Sequence, residues 1–176
     1  DTRGASAIYL NGNSHLTITG PVSIDKVETK GDSANGINSQ GKGNEVLIEG
    51  PLTIKNVKGL RGRGKGVSAS GILLTGDRSK VTVTGPVDIS GVEGSALKTV
   101  GADTEISIGG GTITAAKDAD HSKNYYAARV QKGTININMK NGKAGDTKTQ
   151  ITGDLYATGQ YGKRVVEYSG GQLVDW

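Results

Sequence analysis

Three times in this chain a Gly-Pro pair stands between two pairs of apolar residues, each pair spaced by two. Leu16 and Ile18 precede Gly20-Pro21, and Val22 and Ile24 follow it. The second copy is Val46, Ile48, Gly50-Pro51, Leu52 and Ile54, and the third is Val81, Val83, Gly85-Pro86, Val87 and Ile89. The chain has 3 Pro, and all of them occupy this one position. A looser fourth copy, Ile106, Ile108, Gly110, Gly111 and Ile113, keeps the pattern without Pro. A second element precedes each copy: Ala5 to Ile8, Ala34 to Ile37, Ala69 to Ile72 and Gly94 to Leu97. Four residues beyond each of these anchors comes Gly12, Gly41, Gly76 or Gly101. A fifth, degenerate unit is read from Ala127 to its anchor Val130, leading to Ile135 and Ile137.

Self-similarity of this kind takes precedence over any local reading. The apolar pairs have period two and are rich in β-branched residues, which is the signature of strands with one buried face. Gly is 29 of 176 residues, so helices would lose roughly 1 kcal/mol at each interior position. No strict Gly-X-Y period exists, which excludes collagen. One unit carries three short strands and cannot bury their apolar faces alone. Stacked units make three parallel sheets around one core, with identical positions in ladders. The expected fold is all-β, a right-handed parallel β-helix with three strands per coil and about five to six coils. Residues 1–176 read as one β-helix domain, with regular repeats over 5–113 and degenerate coils over 114–176. The chain opens at Asp1 already in repeat phase, so a fragment of a longer protein is expected. Beyond about residue 137 the repeat does not say which segment is which strand.

Anchor spacings vary: Ile8 to Ile37 is 29 residues, Ile37 to Ile72 is 35, Ile72 to Leu97 is 25 and Leu97 to Val130 is 33. Most of the surplus falls at one corner, in the excursions 28–33, 58–68 and 115–126, which are expected to project from one long edge. The densest basic run, Arg61, Arg63 and Lys65, reads either as a dock for an anionic glycan or surface polymer, or as a solvated loop. It matches part of a phosphate loop, but Gly66 replaces the required hydroxyl and no helix follows. Tyr125 and Tyr126 read either as a sugar-stacking pair or as one core cap and one surface ring. Asp118 and Asp120 lack a third ligand at the spacing of a known calcium loop. No metal or cofactor is expected. Asp25, Lys55 and Asp88 fall near one another around the third-strand pairs, with Asp88 two residues earlier in phase, and form no clear acid–base pair. Neither His15 nor His121 has a partnered nucleophile. Cysteine is absent, and the formal net charge is only +4, so nucleic acid is not an expected partner. No apolar run approaches the ~20 residues of a membrane helix.

The small-small-Gly-Ile element, the following Gly, and the Val-x-Val-x-Gly-Pro-Val-x-Ile element together resemble the passenger regions of Gram-negative autotransporter adhesins, over roughly Ala5 to Ile113. The resemblance implies a pectin-lyase-like β-helix exported through an outer-membrane barrel onto the cell surface, with roles in adhesion and virulence. A chain without cysteine fits that route, because a disulfide would obstruct threading. The function expected is a non-catalytic surface adhesin module that binds host or bacterial glycans or proteins, or associates with itself. Arg61, Arg63, Lys65, Tyr125 and Tyr126 are its expected ligand-binding residues. The alternative is a polysaccharide-processing enzyme, since lyases and hydrolases also use this fold.

Overall fold

The computed structural model of the chain describes residues 4–30, 32–59, 69–116, 125–137, 139–140, 143–144, 149–157, 162–169 and 172–175. The chain winds through three strands per turn. The first coil is β1 (Ala5–Asn11), β2 (His15–Ile18) and β3 (Val22–Thr29). The second is β4 (Ala34–Gln40), β5 (Glu45–Ile48) and β6 (Leu52–Gly59). The third is β7 (Ala69–Leu74), β8 (Lys80–Val83) and β9 (Val87–Val92). The fourth is β10 (Ser95–Thr99), β11 (Glu105–Ile108) and β12 (Gly111–Thr114). In the fifth, β13 (Tyr126–Val130) and β14 (Gly133–Ile137) are followed by an antiparallel pair, β15 (Met139–Lys140) and β16 (Lys143–Ala144), and then by β17 (Thr149–Thr152). β18 (Asp154–Ala157) and β19 (Gly162–Ser169) begin a sixth coil.

Strands one coil apart pair in parallel. The first sheet runs β1-β4-β7-β10-β13-β18, the second β2-β5-β8-β11-β14-β19, and the third β3-β6-β9-β12-β17. The result is a right-handed, three-sided parallel β-helix. At about 4.8 Å per coil its first sheet spans about 24 Å.

Register stacks like on like. Ile8, Ile37, Ile72 and Leu97 pair in one row, as their shared context predicts. Ile37, Ile72 and Leu97 are fully buried, and Ile8 is half-buried on the first coil. The second sheet contributes the row Leu16, Val46, Val81, Ile106 and Ile135, and the third contributes Ile24, Ile54, Ile89, Ile113 and Ile151. Each such side chain taken wholly out of water stabilises the rod by roughly 1.5–3 kcal/mol before entropy is counted.

The corners are built from polar and special residues. Between the first and second sheets Asn44 and Ser79 are fully buried and Thr104 nearly so. Asn44 Oδ1 accepts from the Ser14 N–H at 3.1 Å, and its Nδ2 donates to Ser39 Oγ at 2.9 Å and to turn carbonyls. Side chains here do the hydrogen bonding that a ladder cannot do through a bend. At the Gly-Pro corner, the Pro51 carbonyl accepts from the Val22 N–H and the Pro86 carbonyl from the Leu52 N–H, so Pro, which has no N–H, still joins successive coils as an acceptor. Within the third sheet, Lys26, Asn56 and Gly91 all take left-handed φ (60°, 56° and 63°), which bends β3, β6 and β9 between paired segments.

Four details differ from the sequence expectation. The fifth anchor is Ala128, which pairs with Leu97; Val130 pairs with Thr99 one step further along. A period of two keeps both residues facing inward, so apolar alternation alone cannot separate them. The fourth corner is one residue shorter than the third: Ile108 pairs with Val83, but Gly111 pairs with Val87. Gly110 and Gly111 close it at φ 128° and 105°, values open to glycine alone. β20 (Gln172–Asp175) returns antiparallel on β19, so parallel pairing does not extend to the last strand. Finally, the excursions are narrower than expected. Glu28 and Thr29 belong to β3, Lys58 and Gly59 to β6, and Tyr126 to β13. All three excursions still join the third sheet to the first, so their ends share one corner.

Candidate functional site

The core rows fix which residues face out, and three aromatic ones, Tyr9, Tyr126 and Tyr156, lie on the outer face of the first sheet. Tyr9, Asn38, Leu73, Lys98, Arg129 and Tyr156 form one continuous row, a residue from each successive coil. Its two end residues, Tyr9 at 53% and Tyr156 at 40%, are the exposed large hydrophobics among the described residues. Beside it runs a row of smaller groups: Ser6, Asn35, Ser70 and Ser95, closed by Tyr126.

At the far end a cation lies beside two adjacent rings. Arg129 Cζ lies 5.7 Å from the Tyr126 ring centroid and 5.6 Å from that of Tyr156, and the two rings are 5.3 Å apart at 41°. Ring faces carry negative charge density and attract a guanidinium at such distances. The Arg129 Nε–H is buried and makes no hydrogen bond. At the near end, Tyr9 Oη donates to Gln40 Oε1 at 3.0 Å, and a cleft of about 460 Å³ opens beside Asn35 and Asn38.

The other faces differ in character. On the second sheet His15, Glu45, Lys80 and Glu105 make a row in which the charges of Glu45, Lys80 and Glu105 alternate, with His15 Nε2 3.4 Å from Glu45 Oε2. On the third, Asp25 pairs in register with Lys55, and Asp88 with Thr53, so Asp88 is two residues out of phase as expected. Lys55 nonetheless reaches diagonally to Asp88 at 2.8 Å, with both side chains about half exposed. The hydrogen bond from Lys55 to Asp88, then the charge of Asp88 and less so of Asp25, hold the ammonium above its ordinary range. Asp25 is occupied by the Asn56 Nδ2–H at 2.8 Å. These carboxylates are partnered on an open sheet face, which is what a structural ion pair looks like. Among the described residues, no group of three or more His, Cys, Asp or Glu could hold a metal ion.

The expected site residues divide accordingly. Tyr126 is on the outer face of β13, within the aromatic cluster, and not on a projecting loop. Tyr125 lies half-buried just before that strand. Arg61, Arg63 and Lys65, like Asp118, Asp120 and His121, lie outside the described residues. Tyr9, Asn35, Asn38, Arg129 and Tyr156 were not singled out from the sequence. Their signal is positional, because each member of the aromatic row stands immediately after an anchor once the fifth anchor is placed at Ala128. Comparison of the chain with protein-family models, with curated proteins and with solved structures finds no match.

Proposed function

We propose that this chain is a non-catalytic adhesive module of an exported bacterial surface protein, and that it holds its partner on the outer face of the first sheet. The observation that supports the reading is the single row from Tyr9 to Tyr156, with exposed rings at both ends and Arg129 beside the adjacent Tyr126 and Tyr156 rings. A row of about 24 Å suits an extended ligand, such as a glycan chain or surface polymer, touched at several weak points. Many copies on a cell convert weak contacts into avidity. Arg61, Arg63 and Lys65 lie in the chain between β6 and β7, and β7 belongs to this sheet. They enter the reading as further contacts to anionic groups.

The test is adhesion of cells displaying the chain. Tyr156→Ala and Arg129→Gln should each lower adhesion by about two- to tenfold, the range of a cation–π or stacking contact, and the Arg129 effect should shrink at high salt. Unchanged adhesion in both folded variants sinks the reading and points to lateral association of rods. Cleavage of an acidic polysaccharide by the chain would favour the enzyme alternative instead.

A further inference from the structure

The near end of the aromatic row carries a feature that adhesion in general does not require. Asn35 and Asn38 are 2% and 5% exposed, and the Oδ1 atom of each is buried without a hydrogen-bond partner. Asn38 Nδ2 is committed to Ser6 Oγ at 3.4 Å, so its oxygen is the end left over. Both carboxamides line the cleft of about 460 Å³, together with Ser6, Tyr9, Asp32 and Gln40. Buried acceptors left unpaired are costly and normally find a donor. Here the free valences belong to two side chains that line a space whose volume falls within the ~300–1,000 Å³ of small-molecule sites.

We infer that this cleft is a subsite for a neutral sugar unit, whose hydroxyls donate to Asn35 Oδ1 and Asn38 Oδ1 while its C–H face lies on the Tyr9 ring. The charge of the lining selects the class. Among the described residues that line it there is one carboxylate, Asp32, and no cationic side chain, so there an anionic sugar would meet acceptors and a like charge. Asp32 Oδ1 already accepts the Ser33 N–H at 2.7 Å, which fixes the carboxylate at the rim. Tyr9 is held by its bond to Gln40 while the residue stays 53% exposed, giving a preset apolar platform beside polar groups. Neutral sugars combine these two demands, with one apolar face and a ring of hydroxyl donors. The inference rests on the adhesive reading for its biological use, and on the cleft alone for its chemistry.

The register supplies variants that keep the fold. Asn35→Ser installs the residue found one coil away on either side, Ser6 and Ser70, and Asn38→Leu installs the residue of the next coil, Leu73. The isotope-labelled chain is titrated with the methyl glycosides of glucose, galactose, mannose and N-acetylglucosamine, and with glucuronic acid. At least one neutral glycoside should shift the side-chain amide signals of Asn35 and Asn38. Each variant should weaken that binding about tenfold or more at unchanged melting temperature. The inference is overturned if no neutral glycoside shifts these signals, if glucuronic acid binds as tightly, or if both folded variants bind as the parent does. Adhesion of displaying cells, measured alongside, separates the two ideas. Adhesion without glycoside binding removes the subsite alone, whereas glycoside binding without adhesion leaves the subsite and removes the adhesive reading.

Discussion

At Gly85 the demand is for space. Its φ is not in the left-handed region, so an alanine there could take the same backbone conformation. A Cβ on Gly85 would nevertheless collide with the carbonyl of Gly50, just as one on Gly50 would collide with the carbonyl of Gly20. Each Gly-Pro corner sits directly on the one before it, at a spacing set by the parallel ladders on both sides. Replacing Gly85 by Ala should therefore cost about 1–3 kcal/mol, the usual penalty of overpacking, read as a lower urea midpoint with an unchanged slope. Gly110 and Gly111 are a different case, since their φ values exclude other residues whatever the space. The sequence marks all of these positions alike, as Gly near a corner. Only the coil below distinguishes a glycine needed for space from one needed for conformation.

Among the described residues, β6 and β9 carry the one ion pair with a resolved effect on its lysine. The folded pKa of Lys55 is raised above the ordinary 10.5 by the hydrogen bond and charge of Asp88. A raised folded pKa means that the pair's stabilisation is fully present below 10.5 and is lost as pH rises through the raised value. Lys55→Met should therefore melt below the parent at neutral pH, and the gap should close in strongly alkaline buffer. A calorimetric pH series of both proteins checks this, and high salt should narrow the gap because the pair is half exposed. The proximity of Asp25, Lys55 and Asp88 was legible from the repeat phase. Their meaning was not, because the diagonal reach of Lys55 depends on side-chain geometry between coils. In the same way β13 was legible as a strand, but its register was off by two, and that slip hid Arg129 from its row.

For the whole rod, stability is close to a sum over coils and the contacts between them. Ile72 lies at the middle of the first-sheet ladder, fully buried between Ile37 and Leu97. An unpaired carboxylate there costs several kcal/mol, comparable with the ~5–15 kcal/mol that holds an ordinary domain folded. Ile72→Asp should abolish the cooperative melting transition seen by circular dichroism, whereas Ile72→Val should lose only about 0.5–1.5 kcal/mol. Retention of a native melt by the Asp variant would mean that the ladder is not the core. What the sequence by itself determined was the solenoid: period-two pairs that cannot bury themselves singly, repeated with Gly and Pro at constant phase, admit stacked parallel coils. It also placed the first four anchors in register and put the three excursions 28–33, 58–68 and 115–126 at one corner, though not the β15–β16 pair, which lies between the second sheet and the third. The tertiary structure alone decided which outward residues meet. Tyr9 and Tyr156 are far apart in the chain and share no motif, yet five steps of parallel pairing set them in one row. Inward positions repeat because each must fill the same space against its neighbours in the ladder. Outward positions are free of that constraint, so their identities carry no period, and the row they form exists only once the coils are stacked.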